Sequence, residues 1–154
     1  MTTMTKTTVA LPTEQDTVRL GAKIAGVARR GDIIGLRGDL GAGKTTLARG
    51  FVQTLSPTTD EVPSPTFTLV QSYDDADVPV YHFDLYRLIS ADDVLELGLE
   101  DAVAHGIAIV EWPDRLGART FKNMLDVQLV IDGAGRRATL SAGGTWLERL
   151  QGLA

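Results

Sequence analysis

The chain has 154 residues, 44% of them hydrophobic and 23% charged, the make-up of one globular domain long enough to bury a core. It has no cysteine, which excludes disulfides and thiolate metal sites, and its formal net charge of −5 argues against gripping RNA or DNA unaided. No apolar run is long enough to span a membrane, and the N-terminal MTTMTKTTVALPTEQ lacks the apolar stretch of a secretory signal, so the reading is a cytosolic protein.

Residues 1–10 are threonine-rich and without periodicity, and they read as a frayed, flexible tail ahead of one domain over 11–154. Thr13 reads as a helix N-cap with Asp16 three positions on, a variant capping box. Leu20, Ile24 and Val27 follow at helical spacing, which predicts a first helix over 14–28. Ile33, Ile34 and Leu36 make a short apolar run bounded by glycines, a buried strand. Leu47, Phe51 and Leu55 recur every four residues and predict a helix over 46–55. Residues 67–73 and 78–86 read as two strands about the acidic turn DDAD. Ser90 caps a helix that ends at Gly106, with His105 paired to its negative dipole end. Residues 107–110 form another buried strand. A second hairpin joins 126–131 to 137–142, and a last helix starts near Thr145. Interleaved strands and helices with added hairpins make the class α/β with a mixed β-sheet.

Residues 38–46, GDLGAGKTT, follow a predicted strand and open a predicted helix. Gly38, Gly43, Lys44 and Thr45 match GxxxxGK[ST], which a chain of this composition meets by chance only about 0.005 times. Glycines let the backbone curl so that successive N–H groups form an anion nest, and the following helix adds its positive end. Lys44 is placed to reach the β and γ phosphates, and the Thr45 hydroxyl is placed for Mg²⁺. Thr46 is equally an ordinary first-turn residue. The AsnLysxAsp element for guanine is absent, which favours ATP.

Such a loop needs an acid at the end of a neighbouring strand. Asp84 ends VYHFD and Glu111 ends IAIVE, both at strand carboxyl ends, where ligands bind in open α/β sheets. His82, between Tyr81 and Phe83, reads as a packed or hydrogen-bonded histidine. Arg87 could face a phosphate or a partner, and Trp112 reads mainly as core packing ahead of Pro113. Pro63 and Pro65 flank Ser64 in a stiff loop with hydroxyls on show, where loops that sense a γ-phosphate are found.

GDLGAGKTT, SPTFTLV, YHFDLYR and VEWP, in this order and spacing, resemble the bacterial TsaE (YjeE) ATPases, over nearly the whole chain from Leu11. The resemblance implies a P-loop NTPase fold with a mixed sheet flanked by helices. It implies Mg·ATP held by Asp39, Leu40, Gly41, Ala42, Gly43, Lys44, Thr45 and Thr46, with Thr45 and Glu111 touching magnesium and Asp84 in the Walker-B role. It implies a switch at Ser64, Pro65 and Thr66, and base or ribose contacts from Glu14, Thr17 and Arg136. It further implies partnership with a TsaB–TsaD pair, in which TsaD transfers a threonylcarbamoyl group to tRNA. ATP hydrolysis, weak in the lone protein, would reset that complex, and tRNA would be reached through the partners. No DNA or membrane partner is expected. The alternative enzyme class is a small-molecule kinase with RLGAR at 115–119 as its lid. A third reading is a nucleotide-dependent binding module.

Overall fold

The computed structural model describes residues 5–57, 69–74, 77–88, 97–116 and 123–151. In chain order the elements are β1 (Thr5–Leu11), α1 (Glu14–Val27), β2 (Ile33–Arg37), α2 (Lys44–Leu55), β3 (Val70–Tyr73) and β4 (Val80–Asp84). Then come α3 (Leu99–His105), β5 (Ile107–Glu111), a 3₁₀ turn (Pro113–Leu116), β6 (Met124–Asp132), β7 (Gly135–Ala142) and α4 (Trp146–Leu150). Among the described residues, seven strands form one sheet in the order β1-β7-β6-β2-β5-β4-β3. The central β6, β2, β5 and β4 are parallel, while β7 pairs antiparallel with β6 and β3 with β4. Both hairpins expected from the sequence are therefore present.

One expectation is corrected. The stretch read as part of a frayed tail is β1, paired antiparallel with β7 from Thr5 opposite Ala142 to Leu11 opposite Arg136. Threonine is a good strand former when a neighbouring strand accepts its amides. That neighbour lies at the far end of the chain, so nothing local announced it.

The parallel strands are apolar on both faces because both are covered. Ile34, Leu36, Ile107, Ile109 and Val127 join Leu20, Ile24, Leu47 and Phe51 in the core under α1 and α2. Ile33, Phe83, Ala108, Val110, Leu99 and Leu116 form the core of the opposite face. The capping box forms as read, with the Asp16 amide donating to Thr13 Oγ1 at 3.2 Å and the Thr13 amide donating to Asp16 Oδ2 at 2.9 Å.

Two contacts set how α2 is carried. A Cβ on Gly50 would lie 2.1 Å from the Val18 carbonyl oxygen, and one on Gly21 would lie 2.1 Å from that of Leu47. The two helices thus cross backbone against backbone, and only glycine allows that approach. At the other end of the sheet, Arg149 of α4 donates to both carboxylate oxygens of Asp32 at 2.6 and 2.9 Å. It also donates to the Val27 carbonyl and the Thr145 hydroxyl, and its guanidinium lies 3.9 Å over the Trp146 ring. Asp32 immediately precedes β2, so this buried pair ties the last helix to the strand that feeds the phosphate loop.

Candidate functional site: a phosphate loop between two strand-end acids

The loop after β2 turns on three glycines in left-handed conformations, Gly38 (φ 145°), Gly41 (φ 82°) and Gly43 (φ 105°). Gly38 is also crowded, since a Cβ there would sit 2.5 Å from the Leu129 carbonyl oxygen. Any other residue would both strain the turn and collide with β6. The loop closes on itself where the Ala42 amide donates to the Asp39 carbonyl at 3.0 Å.

α2 begins at Lys44, two residues before the predicted start at 46, with Gly43 as N-cap and no side chain capping it. The amides of Lys44, Thr45 and Thr46 occupy the first turn, where a helix offers no acceptor of its own. An uncapped, glycine-led helix end with its amides pointing outward suits an anion. The residues present therefore fit a nucleotide phosphate chain.

Lys44 is almost wholly buried, and its ammonium donates to the carbonyls of Gly38 (2.6 Å) and Asp39 (2.9 Å). It lies 4.2 Å from the centre of the Trp112 ring. Burial pushes the Lys44 pKa below the usual lysine value, against the opposing pull of Glu111, Asp84, Asp39 and Asp114. A lysine so placed is a poorly hydrated charge, ready to exchange carbonyl partners for phosphate oxygens.

The two strand-end acids stand side by side, because Asp84 is the register partner of Glu111 in the parallel β4–β5 pair. Both are buried. Thr45 Oγ1 donates to Glu111, with Oε1 at 3.0 Å and Oε2 at 3.2 Å. His82, fully buried, places Nε2 2.7 Å from Glu111 Oε2. Asp84 Oδ1 accepts from the Tyr86 amide at 3.0 Å. Among the described residues no three His, Asp or Glu side chains form a metal cage. A hydroxyl beside two carboxylates is instead the donor set of a hard cation shared with phosphates.

Two cavities flank the loop. One, of about 290 Å³, is lined by Lys44, Thr45, Thr46, Asp84, Glu111 and Trp112, together with Leu40, Gly41, Gly43 and Tyr86. The other, of about 340 Å³, is lined by Leu11, Thr13, Glu14, Thr17, Ala134, Gly135 and Arg136. Gly41, Gly43 and Thr46 line both, so the two spaces meet at the loop. Arg136 bridges to the loop by donating to the Gly41 carbonyl at 3.0 Å, and Glu14 accepts from Arg49 at 3.0 Å.

The sequence-predicted residues thus divide. Lys44, Thr45, Asp84 and Glu111 converge on one side, Glu14, Thr17 and Arg136 on the other, and Thr46 lies between them. Asp39 contributes its carbonyl, Ala42 is packed in the core, and Leu40 is 67% exposed at the rim. The switch residues Ser64, Pro65 and Thr66, like Ser90 and the tail of the 115–119 segment, lie outside the described residues. Of the neighbouring loop, Leu69 is seen, with a left-handed φ of 67° and its carbonyl accepting from the Asp84 amide at 2.9 Å.

Trp112, read mainly as core packing, does pack against the core of the opposite face, but it also lines the site. It is half-buried in a left-handed conformation, φ 62°, which turns its ring out over Lys44 and to 4.8 Å from the Tyr86 ring. A backbone that costs energy at the end of a strand is a mark of a site. Pro113 behind it gave the signal that the strand stops there. Tyr86 and Thr13 were also missed as lining residues. Nothing in their local pattern separates a cavity wall from ordinary surface. His105 behaves as read, its Nδ1 2.8 Å from the Asp101 carbonyl at the end of α3.

Comparison with known proteins agrees with this geometry. The family described as "Threonylcarbamoyl adenosine biosynthesis protein TsaE" matches residues 11–139. A Bacillus subtilis relative named tRNA threonylcarbamoyladenosine biosynthesis protein TsaE is 38% identical over 140 residues, covering 88% of this chain and 85% of the relative. A Nostoc relative of the same name is 39% identical over 132 residues, covering 81% and 80%. The crystal structure of Bacillus subtilis YdiB superposes with a TM-score of 0.74 at 29% identity, over 99% of this chain and 95% of that one. With its P-loop α/β fold, its glycine-led anion nest and these relatives across most of its length, the chain belongs to the TsaE family.

Proposed function

We propose that this chain is a magnesium-dependent ATPase that serves tRNA threonylcarbamoyladenosine synthesis by acting on a TsaB–TsaD pair in the cytoplasm, with β1 through α4 working as one domain. The observation that carries the reading is the hydrogen bond between the phosphate-loop hydroxyl of Thr45 and the strand-end carboxylate of Glu111. It joins the two halves of a nucleotide-hydrolysis site. The tRNA assignment rests on the names of the relatives.

In this reading the amides of 43–46 and the Lys44 ammonium hold the phosphates, fixing them without bulky walls. Thr45, Asp84 and Glu111 hold the cation. Magnesium would neutralise charge on the phosphate oxygens. Glu111 and Asp84, buried at adjacent strand ends, are fixed charges in a water-poor place, where they act most strongly. Glu14, Thr17 and Arg136 line the cavity on the other side of the loop, the space left for ribose and base. Ser64, Pro65 and Thr66 would form the switch. Among the described residues no helix is long and apolar enough to cross a membrane. The kinase alternative finds no favour in a family named for tRNA modification.

The test is phosphate release by the purified chain, alone and with TsaB and TsaD added, beside the Lys44→Ala variant. The expected result is slow turnover alone, stimulation by the pair, and loss of tight ATP binding in the variant with an unchanged circular dichroism spectrum. Unchanged ATP affinity in Lys44→Ala, or robust phosphorylation of a metabolite, would refute the proposal.

A further inference from the structure

We infer that His82 is a positioning residue whose Nε2–H holds the Glu111 carboxylate turned toward Thr45. The inference deepens the ATPase reading and rests on it for its kinetic consequence.

β4 sends Phe83 into the core of the opposite face, so His82 and Asp84 share the face under α2. Its register partner is Ile109, two positions before Glu111 on the same face of β5. The long diagonal from His82 to Glu111 is closed by the 2.7 Å contact between Nε2 and Oε2. His82 has no solvent exposure, and among the described residues its other ring nitrogen, Nδ1, has no hydrogen-bond partner.

That orphan nitrogen decides where the proton sits. A ring that used Nε2 as an acceptor would carry its proton on Nδ1 and bury it without an acceptor. Buried N–H groups without acceptors are rare and costly, whereas a bare acceptor nitrogen costs less. A proton on Nε2 gives Glu111 its donor.

The consequence falls on the carboxylate. Glu111 has rotatable bonds between its strand and its oxygens, and two anchors remove that freedom. Nε2–H holds Oε2, while the Thr45 hydroxyl donates to Oε1 at 3.0 Å. Remove the first anchor, and the carboxylate is held only by Thr45, the residue that a cation would also claim. A group that must meet its target within a fraction of an ångström is then free to turn away.

The experiment has a structural and a kinetic arm. In the nucleotide-free protein at neutral pH, long-range proton–nitrogen NMR of the His82 ring should show a proton on Nε2. A ring whose proton sits on Nδ1 with Nε2 bare would overturn the inference. In the kinetic arm, with TsaB and TsaD present, His82→Leu should bind ATP within about threefold of the parent yet turn over at least about tenfold more slowly. His82→Gln, whose amide can donate to Oε2, should recover most of that loss. Parental turnover in His82→Leu would overturn the inference. So would a His82→Gln no better than leucine with both folded. Should His82→Leu not fold, the tautomer and the glutamine variant decide. A parent that never hydrolyses ATP with its partners present would defeat the ATPase reading instead, and the tautomer spectrum would still decide the placement of the proton.

Discussion

Glu111→Gln keeps the shape of the side chain and removes its charge, and the surroundings say what each should do. The carboxylate is 3% exposed, accepts from His82 Nε2 at 2.7 Å and from Thr45 Oγ1 at 3.0 Å. A glutamine can serve both neighbours, with its oxygen toward His82 and its amide donating to the threonine oxygen. Two bonds to a charged group, about 1.5–3 kcal/mol each, become neutral bonds of about 0.5–1.5 kcal/mol. Burying an amide instead of a carboxylate offsets part of that, so unfolding stability should fall by no more than about 2 kcal/mol. Function should suffer more. Lys44 loses the strongest of the charges that support its ammonium form, and the cation loses a fixed anion. Thr45, now an acceptor toward the amide, has less of its oxygen left for magnesium. We expect ATP to bind within a few-fold of the parent. Turnover should drop at least about tenfold, roughly 1.4 kcal/mol of barrier. Calorimetric titration and phosphate release with TsaB and TsaD separate the two effects. Hydrolysis at the parent rate would make Glu111 structural. Loss of binding alone would move its role from the reaction to the phosphate nest. Asp84→Asn, beside it, should weaken magnesium-dependent binding as well.

Three further outcomes follow from the frame around the site. Gly50→Ala places a methyl 2.1 Å from the Val18 carbonyl oxygen and must push α1 from α2, at a net cost of about 1–3 kcal/mol despite alanine's better helix propensity. Urea unfolding that leaves stability unchanged or raised would contradict the backbone contact. Arg149→Met leaves the buried Asp32 carboxylate without its partner and should cost about 3–5 kcal/mol, part of it regained in Asp32→Asn/Arg149→Met. A double variant no more stable than the single one would refute the pairing. The Asp16 carboxyl lies below its ordinary 3.8 chiefly because of the hydrogen bond with the Thr13 side chain, then that with the Thr13 backbone, aided by Arg19. Its folded pKa is depressed, so its contribution to stability is present above 3.8 and is lost as pH falls through the folded value. Thr13→Ala should move the Asp16 titration seen by NMR upward toward 3.8, and an unmoved midpoint would contradict this origin.

What the sequence alone determined was local. GDLGAGKTT spans nine consecutive residues, and its glycines, lysine and threonine act on the backbone beside them, so the loop and the start of α2 were legible from spacing. The capping box of α1 and the two hairpins were legible for the same reason: each is settled by residues a few positions apart. Asp84 and Glu111 could be named as strand-end acids, because apolar runs mark buried strands and their ends. What only the tertiary structure decided depends on distant segments. β1 is a strand because β7, at the other end of the chain, accepts it, and a threonine-rich stretch carries no sign of that partner. Gly21 and Gly50 look like weak points in two helices until the helices cross there. Asp32 meets Arg149 across 117 positions, and His82 meets Glu111 across 29. Strand order placed β4 beside β5 in register, and that pairing turned two separate carboxylates and a histidine read only as packed or hydrogen-bonded into one site. Periodicity tells a side chain which face to take, but register and strand order choose its neighbour, and those are properties of the whole sheet.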